Sequence, residues 1–269
     1  MKLPRNLLVH LPGAQTAARK VGFAASISQR GATRQNFAAA TSHKFASLRQ
    51  RIGVWDLGAW LASLPQLLNR LNAVQQSLTF FLVQAMVPSG LIREPEGVIA
   101  WLTALRGRPP GQKERKEIGD NVVIDDDFFA VAKRIRTDLA VDYLVGITPS
   151  MIAGDDEDDG AYWDFFSSGV GRIGLASSAE LRKFAARSGR PLEAYLGMII
   201  VAQVLALMSP KIEYHADNGC LFDFNYERVG IIKSLKNLHI DPPCLEAIPV
   251  KHRAAVLSLV RLLRNYPKS

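Results

Sequence analysis

The stretch Tyr214–Ile248, YHADNGCLFDFNYERVGIIKSLKNLHIDPPCLEAI, holds both cysteines of the chain, Cys220 and Cys244. With His215 and Asp241 they give His-x4-Cys, a spacer of twenty residues, and Asp-x2-Cys. A structural zinc ion takes four ligands at tetrahedral corners from thiolate, imidazole or carboxylate donors, and two short-spaced pairs joined by the fold supply them. Between the pairs, VGIIKSLKNL sets Val229, Ile232, Leu235 and Leu238 at helical spacing, which predicts a connecting helix. His215, Cys220, Asp241 and Cys244 are therefore the candidate metal ligands. Asp223, in the LFDF that follows Cys220, is a candidate hydrogen-bond partner of the ligand histidine, or else a helix or turn cap. A packing reading competes for all of them. Free cysteine behaves as a small hydrophobe, and Asp-Pro-Pro-Cys reads as a turn in which Asp241 bonds locally and the prolines stop a helix.

Outward from this stretch, the 269 residues suffice for one large domain or a domain with an appendage. Two cysteines exclude a disulfide scaffold and fit a reducing compartment, so the expectation is a cytoplasmic protein. The longest apolar run, Leu192–Met208, carries Glu193 and ends at Ser209-Pro210. It is short for a membrane span and predicts a buried helix. The net charge of +8 is localised. Residues 1–55 contain nine Lys or Arg and no acid, whereas the remaining 24 basic residues face 25 acidic ones. Residues 1–53 form a basic arm. It reads as an extension without a partner, as a surface for nucleic acid or anionic lipid, or as a transit peptide that would place the protein in an organelle. Phe23, Phe37 and Phe45 are too sparse to stack bases along a single strand.

Residues 54–120 form a helical and strand-bearing N-terminal part. Leu57, Trp60, Leu61, Leu64, Leu67, Leu68 and Leu71 predict a helix over Val54–Val74 that Pro65 kinks or divides. Leu78–Val87 predicts a buried strand, Gly97–Leu105 a short helix, and RGRPPGQKERKEIGD (106–120) a surface linker. Farther on, NVVI predicts a strand and Asp125–Ala140 a helix with acids in its first turn. Val141–Thr148 and Arg172–Ala176 are predicted strands, and Ser178–Arg187 a helix. GDDEDDG (154–160) reads as a solvated loop without the EF-hand ligand order, and YWDFF as an aromatic turn. The alternation predicts an α+β fold with a mixed sheet packed by helices.

Leu144–Ile248 resembles the archaemetzincins, a family of metzincin-type zinc peptidases. LVGITPSMI (144–152) looks like the family's strand and G-x-T-x-x-D segment, and GRIGLASSAELRKF (171–184) like its strand entering a Ser-containing helix start. HADNGCLFDF…IDPPC is similar to its structural zinc element, a Cys-x4-Cys pair and a Cys-x2-Cys pair. His215 and Asp241 stand here at the first and third cysteines. The resemblance implies a zincin-like domain over residues 121–269. The catalytic H-E-x-x-H-x-x-G-x-x-H is missing: Val204 and Met208 fall at the first two histidines, Leu205 at the general base, Lys211 at the glycine and Tyr214 at the third histidine. Leucine cannot take a proton from a zinc-bound water, nor can valine or methionine replace imidazole.

No G-x-S-x-G elbow and no phosphate-binding glycine motif appears in the sequence. Two functional readings remain. The first is a noncatalytic zincin-like pseudoenzyme with one structural zinc, acting through a protein partner or another macromolecule. The second is a divergent hydrolase or peptidase that uses Cys220 with His215, or an unrecognised site, and it requires a reactive thiolate.

Overall fold

The computed structural model describes residues 49–267 except 119–120, 157–159, 213, 216–217, 224 and 226–227. The segment 1–48, which carries most of the basic arm, lies outside the described residues. The chain builds two mixed sheets packed by helices, an α+β architecture. The larger sheet has the order β2-β1-β5-β9-β8, from β1 (Gln50–Asp56), β2 (Leu78–Val83), β5 (Tyr143–Thr148), β8 (Ser167–Val170) and β9 (Ile173–Ser177). Its pairings are parallel except for the β8–β9 hairpin at one edge. The smaller sheet, β3-β4-β6-β7, joins β3 (Ile92–Arg93), β4 (Val122–Ile124), β6 (Met151–Asp156) and β7 (Gly160–Phe165).

Alternation along the strands fills two cores. Ile52 and Val54 of β1, Val145 and Ile147 of β5 and Ala176 of β9 face a core with helices α1 (Leu64–Ala73), α5 (Leu181–Ser188), α6 (Leu192–Met208) and α9 (Val250–Arg264). On the opposite face Trp55, Leu144, Ile173 and Leu175 meet Phe128 and Ala132 of α4 (Asp125–Asp138). Gly146 lies under Phe128. A Cβ there would fall 2.5 Å from the phenyl ring, so the close approach of α4 requires glycine. A third cluster joins Val98 and Leu102 of α2 (Pro95–Arg106) to Val122, Ile124 and Ala153 of the small sheet.

Helix α6 spans Leu192–Met208 as predicted, and thirteen of its 17 residues are buried. It has no polar face because it has no solvent face. Among the described residues no single helix is long and apolar enough to cross a membrane.

Several expectations need correction. Val54–Asp56 belong to β1 and not to a helix. β1 pairs in parallel with strands on both sides, and a strand covered on both faces shows continuous apolar character instead of period two. Pro65 does not kink a long helix; it occupies the first turn of α1, where its missing N–H costs nothing. Residues 50–53, written into the basic arm, lie inside this strand. The strand beginning at Leu78 stops at Val83. The 106–120 linker contains α3 (Gln112–Glu117), whose Glu114 accepts the Gly111 N–H at 2.6 Å. The acidic run begins within β6, and the aromatic YWDFF is largely strand β7, where Tyr162 stacks on Phe165. Residues 157–159 of the acidic run lie outside the described residues.

Candidate metal centre

The C-terminal segment leaves α6 and folds back on itself by short backbone pairings. The His215 N–H donates to the Phe222 carbonyl at 3.3 Å, the Leu221 N–H to the His239 carbonyl at 2.8 Å, and the His239 N–H to the Gly219 carbonyl at 3.2 Å. Cys220 thereby lies beside His239, next to Asp241. The predicted connecting helix is present as a 3-10 turn (Arg228–Gly230) followed by α7 (Ile231–Lys236). Leu235 and Leu238 bury their side chains in the main core together with Cys220 and Phe222. Gly219 has φ +104, and a Cβ on it would lie 2.5 Å from that of Asn237. Asp-Pro-Pro-Cys is not a turn that stops a helix but the start of one. Asp241 precedes α8 (Pro242–Ala247), whose first turn takes both prolines, and its carbonyl accepts the Leu245 N–H at 2.9 Å.

Three of the four candidate ligands form a cluster. One donor atom each of His215, Cys220 and Cys244 lie within 4.8 Å of one another. Cys244 Sγ is 3.3 Å from His215 Nε2, and Asp241 Oδ2 is 3.5 Å from the same nitrogen. With metal–nitrogen and metal–oxygen bonds of about 2.0 Å and metal–sulfur bonds of about 2.3 Å, neighbouring corners of a tetrahedral zinc site are about 3.3 Å apart for nitrogen and oxygen and about 3.5 Å apart for nitrogen and sulfur. Both separations come within about 0.2 Å of these edges. The Asp241 N–H also points at Cys220 Sγ, 3.4 Å away. The His215, Cys220 and Cys244 donors thus lie close enough together to hold a metal ion, while Asp241 falls outside that group and approaches it through His215 Nε2.

Electrostatics separates a ligand role from a nucleophilic one. Burial raises the Cys220 thiol above its ordinary pKa, and burial followed by the neighbouring Cys220 pushes Cys244 up to about 12. Such thiols are protonated at neutral pH and become thiolates only when a cation compensates the charge. Cys220 is fully buried, and His215 Nε2 lies against Cys244. A Cys220 nucleophile has neither access to substrate nor a lowered pKa. The Asp241 carboxyl lies below the usual range because the Asn218 amide, and then His239 and His215, favour its charged form.

Sequence reasoning missed three contributors. His239 Nε2 bonds Asp241 Oδ1 at 3.0 Å, and Asn218 Nδ2 donates to Asp241 Oδ2 at 2.9 Å. Two-residue spacing was the available signal for His239, because alternate side chains of an extended segment share a face. Ser234 donates to Asp223 Oδ2 at 3.1 Å across the fold, which no local pattern encodes. A second polar cluster also went unread. Between the sheets, Asp125 Oδ2 accepts the hydroxyls of Tyr162 and Ser168, each at 2.6 Å, and burial raises its pKa.

The positions aligned with the metzincin catalytic motif carry no imidazole and no carboxylate. Val204 and Leu205 are fully buried in the main core, Met208 and Tyr214 pack against it, burial pushes the Tyr214 hydroxyl pKa up to about 12, and Lys211 is exposed.

No family model matches the chain, and no curated protein matches it. Among solved structures the chain is similar to archaemetzincin from Methanopyrus kandleri, at 12% identity and TM-score 0.39, over 69% of this chain and 86% of that one. It is also similar to a zinc-dependent peptidase from Methanocorpusculum labreanum, at 12% identity and TM-score 0.40, over 74% of this chain and all of that one.

Proposed function

We propose that the chain is a noncatalytic, zincin-like protein whose C-terminal segment is held by one structural zinc ion on His215, Cys220, Asp241 and Cys244, and that it acts by macromolecular interaction in the cytoplasm. The observation that carries this reading is the cluster of His215, Cys220 and Cys244 donors, drawn from both spaced pairs, with Asp241 Oδ2 3.5 Å from His215 Nε2. The resemblance of Leu144–Ile248 to archaemetzincins supports the zincin-like part, and the apolar residues at Val204, Leu205 and Met208 support the noncatalytic part. On this reading residues 121–269 share the zincin-like fold with β1 and β2, which belong to the same sheet as β5 and β9, and the segment before β1 supplies a basic arm for a protein, nucleic-acid or anionic-surface partner.

Metal content tests the reading. Protein purified without a chelating tag or added zinc carries about one zinc per chain by elemental mass spectrometry, and Cys220→Ser loses it. Metal-free wild-type protein, or hydrolysis of a peptide library by the zinc-loaded chain, would overturn it.

A further inference from the structure

Among the described residues around the centre, Asp223 is the one side chain with an unexplained buried atom. Its carboxyl group is fully shielded from solvent, and Oδ1 has no hydrogen bond among the described residues. The other oxygen, Oδ2, is heavily used. It accepts the Gly219 N–H at 2.6 Å, the Asn218 N–H at 3.1 Å and the Ser234 hydroxyl at 3.1 Å. These bonds shape the turn that presents Cys220. A buried carboxylate oxygen without a donor is costly, so a role in the turn alone leaves half the group unaccounted for. Oδ1 faces the His215 ring, 3.7 Å from Nδ1, while Nε2 on the far side of that ring meets Cys244 and Asp241.

From this arrangement we infer that Asp223 is a positioning residue that keeps the proton of His215 on Nδ1 and so leaves the Nε2 lone pair directed at the centre. Histidine ligands commonly depend on such a carboxylate, which fixes the tautomer and raises the basicity of the ligating nitrogen. One carboxyl group then serves both halves of the first ligand pair, Cys220 through the turn and His215 through its ring. The metal consequence rests on the zinc reading above; the tautomer assignment does not.

Asp223→Asn separates the two jobs. The asparagine carbonyl can still accept from Asn218, Gly219 and Ser234, which directs its amide at Nδ1. A donor facing a donor drives the proton to Nε2. The experiment records nitrogen-15 chemical shifts of the labelled histidines in the full chain, with His215 assigned by His215→Gln, before and after zinc addition. Wild-type His215 is expected as the Nδ1–H tautomer and the variant as Nε2–H. Zinc affinity, read by competition with a chromogenic chelator, should fall about 10–100-fold in Asp223→Asn. The melting temperature of the chelator-treated protein should be unchanged. A wild-type Nε2–H tautomer, or an unchanged tautomer in the variant, would overturn the assignment. So would a variant that loses stability under chelator yet keeps its zinc affinity, since Asp223 would then only build the turn. A tautomer switch in a wild type that takes up no zinc keeps the positioning role and removes the zinc reading.

Discussion

On the structural-zinc proposal, chelating the ion should lower the thermal stability of the protein by a bounded amount without unfolding it. Small zinc domains lose their fold with the ion because they have little else. Here Cys220, Leu221, Phe222, Leu235 and Leu238 are already packed in the main core with α6, so the segment keeps its apolar contacts when the ion is removed. What disappears is the linkage contribution, about 2.7 kcal/mol when free zinc stands at 100 times its Kd. For a chain of this size each kcal/mol moves the midpoint by about 2–4 °C, so chelation should lower Tm by about 5–11 °C. Differential scanning calorimetry with and without a strong chelator measures the shift, and excess zinc should restore it. In Cys244→Ser the chelator-dependent part should be absent, whatever the substitution costs by itself. Because burial raises both thiols, binding must expel their protons, and the chelator-sensitive part should shrink as pH falls. A Tm that ignores chelator in the wild type, or moves equally in Cys244→Ser, would refute the reasoning.

Two further predictions concern the frame around the centre. Gly146→Ala places a methyl group 2.5 Å from the Phe128 ring at the middle of the larger sheet, and overpacking there should cost about 1–3 kcal/mol by urea unfolding; an unchanged midpoint would show that α4 shifts freely. Asp125→Asn removes a carboxyl group whose folded pKa is raised, first by burial. In the unfolded chain Asp125 ionises in the ordinary carboxylate range, before the folded chain does. The stability its neutral form contributes is thus whole at low pH and is lost as pH rises through the folded value. Measured side by side, the variant should gain on the wild type across that window and then hold its advantage, whereas a gap running the other way would sink the assignment.

Features set by neighbours in sequence could be read directly. The apolar run of α6 could only be core, and its limits, Leu192 and Met208, coincide with those expected. The two candidate pairs, His-x4-Cys and Asp-x2-Cys, were equally plain as local spacings, and the structure brings His215, Cys220 and Cys244 of them together. Features set by distant partners were hidden. Val54 and Trp55 looked helical because strands β2 and β5, which turn them into a sheet, begin at Leu78 and Tyr143. Asp125 meets Tyr162 and Ser168 across 37 and 43 residues, so its burial had no signature in the helix start that contains it.

The centre combines both kinds of information, which explains why half of it was legible. His215 and Cys220 come from one short turn, and Asp241 and Cys244 from the start of one short helix. The pairs meet because the Leu221 N–H donates to the His239 carbonyl and the His239 N–H to the Gly219 carbonyl, and because Leu235 of α7 and Leu238 beyond it anchor the connection in the core. Asp241 itself is held from two sides, by Asn218, two residues before Cys220, and by His239, two residues before Asp241. A carboxylate is a harder and more mobile ligand than the thiolate the resemblance would place there. These two hydrogen bonds engage both of its oxygens, Oδ1 with His239 and Oδ2 with Asn218, and leave Oδ2 3.5 Å from His215 Nε2, the orientation that the proposed ligand role requires.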